Sequence, residues 1–173
     1  MAVDAYVFVR NADLGTIERL QALAAEDPGV RVCDALSGPA DAFVAIEAEN
    51  VGAARRIIQG PIREAGARDT DVAYGIYPAQ RIVRRWLQVP EYTAFTRIRV
   101  RPGRAKQVAD AVEGLDGYLG SAAVTGSYDV LAAFEADDFD TLTEVILGQL
   151  HTLDDIKWSE TAISQREGAG ELS

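Results

Sequence analysis

A turn in the second half of the chain combines three residue types that could contact a small ligand. In VTGSYDV, residues 124–130, a glycine is followed by an aromatic residue and then by an acid. Gly126 would let a ligand approach the backbone closely, and the Asp129 carboxylate could accept hydrogen bonds from that ligand. A structural interpretation is as simple, because Asp129 could accept backbone N–H bonds within a hairpin turn while Tyr128 packs. The residues alone leave both interpretations open.

A weaker copy of this turn lies 88 positions earlier. LSGPADA, residues 36–42, keeps Gly38 and Asp41 at the matching places but has Ala40 where the aromatic residue would be. Because the aromatic side chain is missing, we predict that this first turn is structural.

Outside the turns, the candidates for chemistry are a single cysteine and a single histidine. We predict that Cys33 is a buried packing group rather than a nucleophile, and one cysteine excludes an intrachain disulfide, as is typical of a cytoplasmic protein. His151 suits the end of a helix, although it could serve as an axial haem ligand. No metal cluster, Ser-His-Asp arrangement, phosphate-binding glycine loop or dinucleotide motif is present. We therefore predict no catalytic residues and no cofactor.

The elements that position these residues occur twice in the same order. Apolar residues at strand and then helical spacing indicate βαββαβ over residues 1–77 and again over residues 92–164. The second helix is predicted to end near Gln59-Gly60-Pro61, because proline interrupts helices. Residues 78–91 are predicted to form a linker helix and residues 165–173 a flexible tail. This order predicts an α+β fold of two tandem ferredoxin-like units.

The first strand, residues 5–10, is apolar on both faces. Tyr6 and Phe8 lie on the second face, and burying each ring would contribute about 1.5–3 kcal/mol. We therefore predict that the two sheets pack face to face as an intrachain dimer, the arrangement called a dimeric α+β barrel. Arg97 and Arg99 occupy the corresponding face of the second unit, so either that face is partly covered or the arginines pair with carboxylates.

The second half resembles the effector-binding domain of the Lrp/AsnC regulators, also called the RAM domain. The resemblance rests on Arg101-Pro102-Gly103 before the first helix, the VTGSYDV turn, Asp137-Asp138-Phe139 and Thr161. The first half resembles a diverged copy. Transcription regulators of this family usually begin with a helix-turn-helix that reads DNA, whereas this chain starts at the first strand, so we expect no DNA-reading domain here.

The resemblance implies a ligand site at the turn. Effectors of the family are commonly amino acids bound between domain dimers, which implies homo-oligomers and leaves room for a regulatory protein partner. It implies that Asp129 holds an ammonium group, that Tyr128 forms a wall, and that the backbone N–H groups of Thr125, Gly126 and Ser127 meet a carboxylate. Gly38 and Asp41 would be the weaker equivalents in the first repeat.

The charge of the chain is unevenly distributed around a net value of −10. Residues 80–106 carry 8 basic and 1 acidic side chains, whereas residues 107–173 carry 2 and 14. The basic segment could contact nucleic acid, but an acidic protein is repelled by phosphates. We favour the interpretation that these arginines balance the charge of the acidic surface beside them. Direct nucleic-acid binding is therefore not expected, and no apolar run is long enough to predict a membrane span.

These features predict a cytoplasmic, effector-binding regulatory protein that is not an enzyme. The alternative is a haem- or oxygen-using enzyme of the dimeric α+β barrel type, with a cavity near His151, Tyr6 or Arg97. A third interpretation is an interaction module in which both turns are structural and no ligand binds.

Overall fold

A computed structural model describes residues 2–77 and 91–165 of the chain. The fold divides into two compact units, Met1–Gly75 and Ile76–Ser173. The predicted linker helix at 78–91 and the predicted tail at 165–173 lie outside the described residues, apart from one residue at an end of each.

The first unit has the predicted order of strands and helices. Its elements are β1 (Val3–Arg10), α1 (Leu14–Glu26), β2 (Val30–Ala35), β3 (Ala42–Ala48), α2 (Val51–Ile57) and β4 (Asp69–Tyr77). A π-helical turn, Ile58–Ile62, continues α2. The strands are antiparallel and lie in the order β2-β3-β1-β4.

The second unit repeats the same order. Its elements are β5 (Tyr92–Val100), α3 (Ala105–Ala111), β6 (Tyr118–Thr125), β7 (Val130–Ala136), α4 (Phe139–Glu144) and β8 (Ile156–Gln165). Helix α3 ends in a 3-10 turn, and α4 continues into a π-helical and then a 3-10 turn. The strand order, β6-β7-β5-β8, is the same arrangement as in the first unit. The predicted α+β fold of two ferredoxin-like units is thereby confirmed.

Each sheet has an apolar core between one of its faces and the two helices of its unit. Val7 and Ile46 belong to this core in the first unit, and Ile98 and Phe134 belong to it in the second; all four are buried. The opposite face of the first sheet is buried as well, since Tyr6 and Phe8 are at most 1% exposed and both rings contact Phe43. Face-to-face packing of the two sheets stays a prediction.

Three helices begin at a side chain that accepts a hydrogen bond from the backbone. Asp13 accepts from Thr16 N at 2.7 Å, and Asn50 accepts from Ala53 N at 2.8 Å. Asp138 accepts from Thr141 N at 2.7 Å. Such bonds satisfy N–H groups that lack a partner within the helix, and they lower the pKa of Asp13 and of Asp138 below the ordinary aspartate value.

The predicted end of the second helix at Gln59-Gly60-Pro61 is wrong. Pro61 lies inside the π-helical turn, and Ala65 N still donates to the Pro61 carbonyl oxygen at 3.0 Å. In a π turn the backbone hydrogen bonds depart from the regular i→i−4 pattern of the α-helix. Pro61, which has no N–H to donate, can therefore lie in this turn without ending the helix. The second unit has a π turn at the matching place, Val145–Gln149, where the sequence contains no proline. Among the described residues, no helix is long and apolar enough to cross a membrane.

Candidate ligand-binding turn

The VTGSYDV turn is tied to the end of β5 by the backbone and the carboxylate of Asp129. The Asp129 N–H donates to the Ile98 carbonyl oxygen, and Val124 N donates to the Asp129 carbonyl oxygen, each at 2.9 Å. The Asp129 Oδ2 atom accepts from Val100 N, also at 2.9 Å. One residue therefore closes the hairpin and joins it to the neighbouring strand.

The first unit repeats this bonding pattern around Asp41. Leu36 N donates to the Asp41 carbonyl oxygen at 2.9 Å, and Asp41 N donates to the Val9 carbonyl oxygen at 2.8 Å. The Asp41 Oδ2 atom accepts from Ala12 N at 3.1 Å. Because Asp129 and Asp41 form the same set of hydrogen bonds in the two copies, each has a structural role. The remaining lone pairs of the Asp129 carboxylate could still serve a ligand.

The tip of the second turn is exposed, while its aromatic residue is not. Thr125, Gly126 and Ser127 face solvent, whereas Tyr128 is 2% exposed and Asp129 is half-buried. The five predicted site residues are thus brought together, but the Tyr128 ring packs inside the protein instead of forming an exposed wall.

The glycines of the two turns differ in backbone conformation. Gly38 has a φ of 118°, whereas Gly126 is not among the described glycines with positive φ. Ala40, which stands where the second turn has Tyr128, is also buried at 2% exposure. The side chain at this position is therefore buried in both copies, and it is a methyl group in the first and a phenol ring in the second.

The two arginines on the second face of β5 have different environments. Arg97 is buried and forms an ion pair with Glu160, its direct neighbour on β8, at 3.1 Å. Of the two explanations left open by the sequence, pairing with a carboxylate therefore applies to Arg97. A cross-strand pair of opposite charge stabilises a sheet where it forms.

We expect the Glu160→Gln substitution to lower the free energy of unfolding by about 1–3 kcal/mol. The substitution removes the carboxylate charge that pairs with the buried Arg97 guanidinium, and the cost of breaking such a pair exceeds that of breaking an exposed one. Urea unfolding of the two proteins measures the difference. Asp155→Asn is the matched control, because Asp155 pairs with Arg104 at 3.8 Å and Arg104 is half exposed. Equal losses in the two variants would contradict this expectation.

Arg99, by contrast, lies against the turn and remains exposed. Its Nε atom donates to the Ser127 carbonyl oxygen at 2.9 Å, and its guanidinium carbon lies 5.5 Å from the centre of the Trp158 ring. Trp158 is 42% exposed and directly opposite Arg99 in the strand register. The sequence shows Arg99 as one of an alternating series but gives no sign that it contacts the turn. The missed signal was the pairing of β5 with β8, which places Trp158 beside it.

The other candidate residues have ordinary structural environments. Burial, and to a lesser degree the charge of Asp34, raises the pKa of the Cys33 thiol to about 12, so the nucleophilic thiolate is scarce at neutral pH. His151 is exposed, and its Nε2 atom lies 3.2 Å from the Ser159 hydroxyl. Within residues 2–77 and 91–165, no three acidic, histidine or cysteine side chains are grouped as a metal site would require.

The second unit matches a known family of domains. Residues 93–168 match the family model described as the Lrp/AsnC ligand binding domain. This confirms the resemblance for the second repeat. The match does not extend to the first repeat, which has the same strand order and the same hydrogen bonds around the aspartate of its turn. No curated protein matches the chain.

Two solved structures with low sequence identity share the fold over most of the chain. The siroheme decarboxylase NirDL is 9% identical, with a TM-score of 0.69, over 95% of this chain and 72% of its own. A putative monooxygenase from Fusobacterium nucleatum is 13% identical, with a TM-score of 0.54, over 95% and 91%. TTHA0845 from Thermus thermophilus is 29% identical over 43% of this chain and 94% of its own, with a TM-score of 0.41.

Proposed function

We propose that this protein, whose residues 93–168 match the Lrp/AsnC ligand binding domain, is a regulatory protein that binds a small effector, specifically an amino acid or a close relative. The observation that carries the proposal is that match, together with an exposed turn tip at residues 125–127. The effector would change the assembly of the protein or its contact with a regulatory partner. The cytoplasmic location predicted from the sequence belongs to this proposal.

The chemistry of the turn suits a zwitterion. The exposed tip at residues 125–127 is where the carboxylate would lie, and the Asp129 carboxylate retains lone pairs that can accept from an ammonium group. Because Asp129 Oδ2 already accepts from Val100 N, binding would add to a preformed arrangement. Such preorganisation reduces the entropy lost when a ligand is bound.

We expect isothermal titration against the twenty amino acids to identify at least one ligand, and Asp129→Asn to weaken its binding by about tenfold or more. The asparagine keeps an acceptor for Val100 N but removes the charge that would hold the ammonium group, and a hydrogen bond to a charged group contributes about 1.5–3 kcal/mol. Asp41→Asn is the matched control, since its carboxylate accepts from Ala12 N in the same way, and it should leave the affinity unchanged. Absence of binding by every amino acid would refute the proposed function.

Our proposal also treats the protein as a binder and not as an enzyme. The barrel-enzyme alternative needs Tyr6, Arg97 or His151 around a cavity. The Tyr6 ring packs against Phe43, Arg97 is paired with Glu160, and His151 lies beside Ser159 at the surface. These contacts support the binding role. Visible absorbance of the purified protein, which would reveal a haem or a flavin, tests the alternative directly.

A homo-oligomer is part of the same proposal. The resemblance to Lrp/AsnC domains implies ligand sites between domain dimers, and this chain carries two units with the same strand order. We expect a small effector to change the oligomer size. Sedimentation with and without the amino acid identified by titration measures that change.

A further inference from the structure

We propose that Arg99, oriented by Trp158 and by the Ser127 carbonyl group, binds the carboxylate of the effector. This inference rests on the proposed function, because it names the group that recognises one end of the ligand at the same turn. It assigns the carboxylate to a side chain, whereas the family resemblance implies the backbone N–H groups of residues 125–127.

The guanidinium of Arg99 is held in place from two sides. On one side its Nε atom donates to the Ser127 carbonyl oxygen at 2.9 Å. On the other side the cation lies 5.5 Å from the centre of the Trp158 ring, within the range of a cation–π contact. These contacts use one N–H and one face of the group, so the two terminal nitrogens remain to form a planar pair of donors.

Arg99 also differs from Arg97 in whether a carboxylate pairs with it. Arg97 has Glu160 at 3.1 Å, whereas in the part of the chain that the structure describes no carboxylate forms an ion pair with Arg99. Two parallel N–H donors match the two oxygens of a carboxylate, and they bind it in a fixed orientation. A guanidinium that is exposed, held in place and, within residues 2–77 and 91–165, not paired with a carboxylate is thus suited to bind an anion from solution.

The surroundings favour a single negative charge on that anion. Residues 107–173 carry 14 acidic and 2 basic side chains, and their field repels a dianion such as phosphate more strongly than a carboxylate. Asp129, whose carboxylate accepts from Val100, the residue after Arg99, places an acceptor next to this donor. Arg99 and the Asp129 carboxylate, which is bonded to the next N–H along β5, thus place a positive and a negative group near one end of the strand, which fits an amino acid better than a simple carboxylic acid.

The test compares each amino acid that binds with its primary amide, which lacks the carboxylate charge. Wild-type protein should bind the acid about tenfold to a hundredfold more tightly than the amide, the range expected for a charged hydrogen bond. Arg99→Gln should bind both alike, with the acid weakened by the same factor. Arg99→Lys keeps the charge without the planar fork and should lie between them. Trp158→Leu should weaken the acid about twofold to fivefold, because an exposed cation–π contact is modest.

Arg101→Gln is the control, since Arg101 is exposed two residues further along the chain and should keep the wild-type preference. Circular dichroism of every variant verifies that the fold is intact. If an amino acid binds and Asp129→Asn weakens it while Arg99→Gln leaves the preference for the acid unchanged, the inference fails and the proposed function stands. If inorganic phosphate displaces the amino acid and binds more tightly, the inference of a carboxylate site is also wrong. If no amino acid binds wild-type protein, both fail.

Discussion

Replacing Tyr128 with alanine is expected to lower the free energy of unfolding by about 3–5 kcal/mol. The side chain is 2% exposed, so the substitution removes a whole aromatic ring from a packed interior and leaves a cavity. The cost should appear as a lower urea midpoint with an unchanged slope. The affinity for the ligand should fall as well, because Tyr128 directly precedes Asp129 and its buried ring holds the turn in place.

Two companion variants separate packing from ligand contact at this position. Tyr128→Phe keeps the ring and should preserve most of the stability and the affinity. Thr125→Ala changes an exposed residue of the same turn, and surface substitutions usually alter stability by no more than about 0.5 kcal/mol. If Tyr128→Phe instead preserves stability but abolishes binding, the hydroxyl contacts the ligand and our assignment of Tyr128 to packing is wrong.

The fold was predictable from the sequence because its signals are local and occur twice. The apolar run of β-branched and aromatic residues in β1 and the glycine turns before β3 and β7 indicate the strands and the two hairpins without tertiary information. The failure at Pro61 has the opposite cause. Proline predicts a helix end from local chemistry, but the helix continues because a π turn removes the need for its missing N–H. That outcome depends on how the helix packs, with Ile62 fully buried in the core of the unit.

The candidate site was only partly predictable, for a physical reason. Asp129 and Gly126 are neighbours in sequence, so a motif reveals them. Arg99 lies 28 residues before Ser127 and 59 before Trp158, and only the pairing of β5 with both β7 and β8 brings the three together. The burial of Tyr128 was likewise not readable from its type, because tyrosine is common both inside proteins and at binding surfaces.

The Gly117→Ala substitution is expected to lower the free energy of unfolding by about 3 kcal/mol or more. Gly117 has a φ of 72°, a conformation that costs other residues about 1–2 kcal/mol. A Cβ atom there would also overlap the carbonyl oxygen of Glu135, a backbone atom that cannot move by a simple side-chain rotation. The Glu135 N–H donates to the Gly117 carbonyl oxygen at 2.7 Å, so the overlap would open the base of the hairpin that carries the VTGSYDV turn.

Two other glycines of the second unit separate the cost of the backbone conformation from the cost of the steric overlap. Gly103 has a φ of 81° with no atom within 4 Å of an added Cβ, so Gly103→Ala should cost only the backbone term, about 1–2 kcal/mol. Gly114 has open space and no positive φ, and Gly114→Ala should leave stability unchanged or slightly higher. Urea unfolding ranks the three variants, and hydrogen exchange of the β6 and β7 amides should accelerate most in Gly117→Ala. A Gly117→Ala protein no less stable than Gly103→Ala would show that the Glu135 carbonyl group moves away at little cost, and that the base of the hairpin is not rigid.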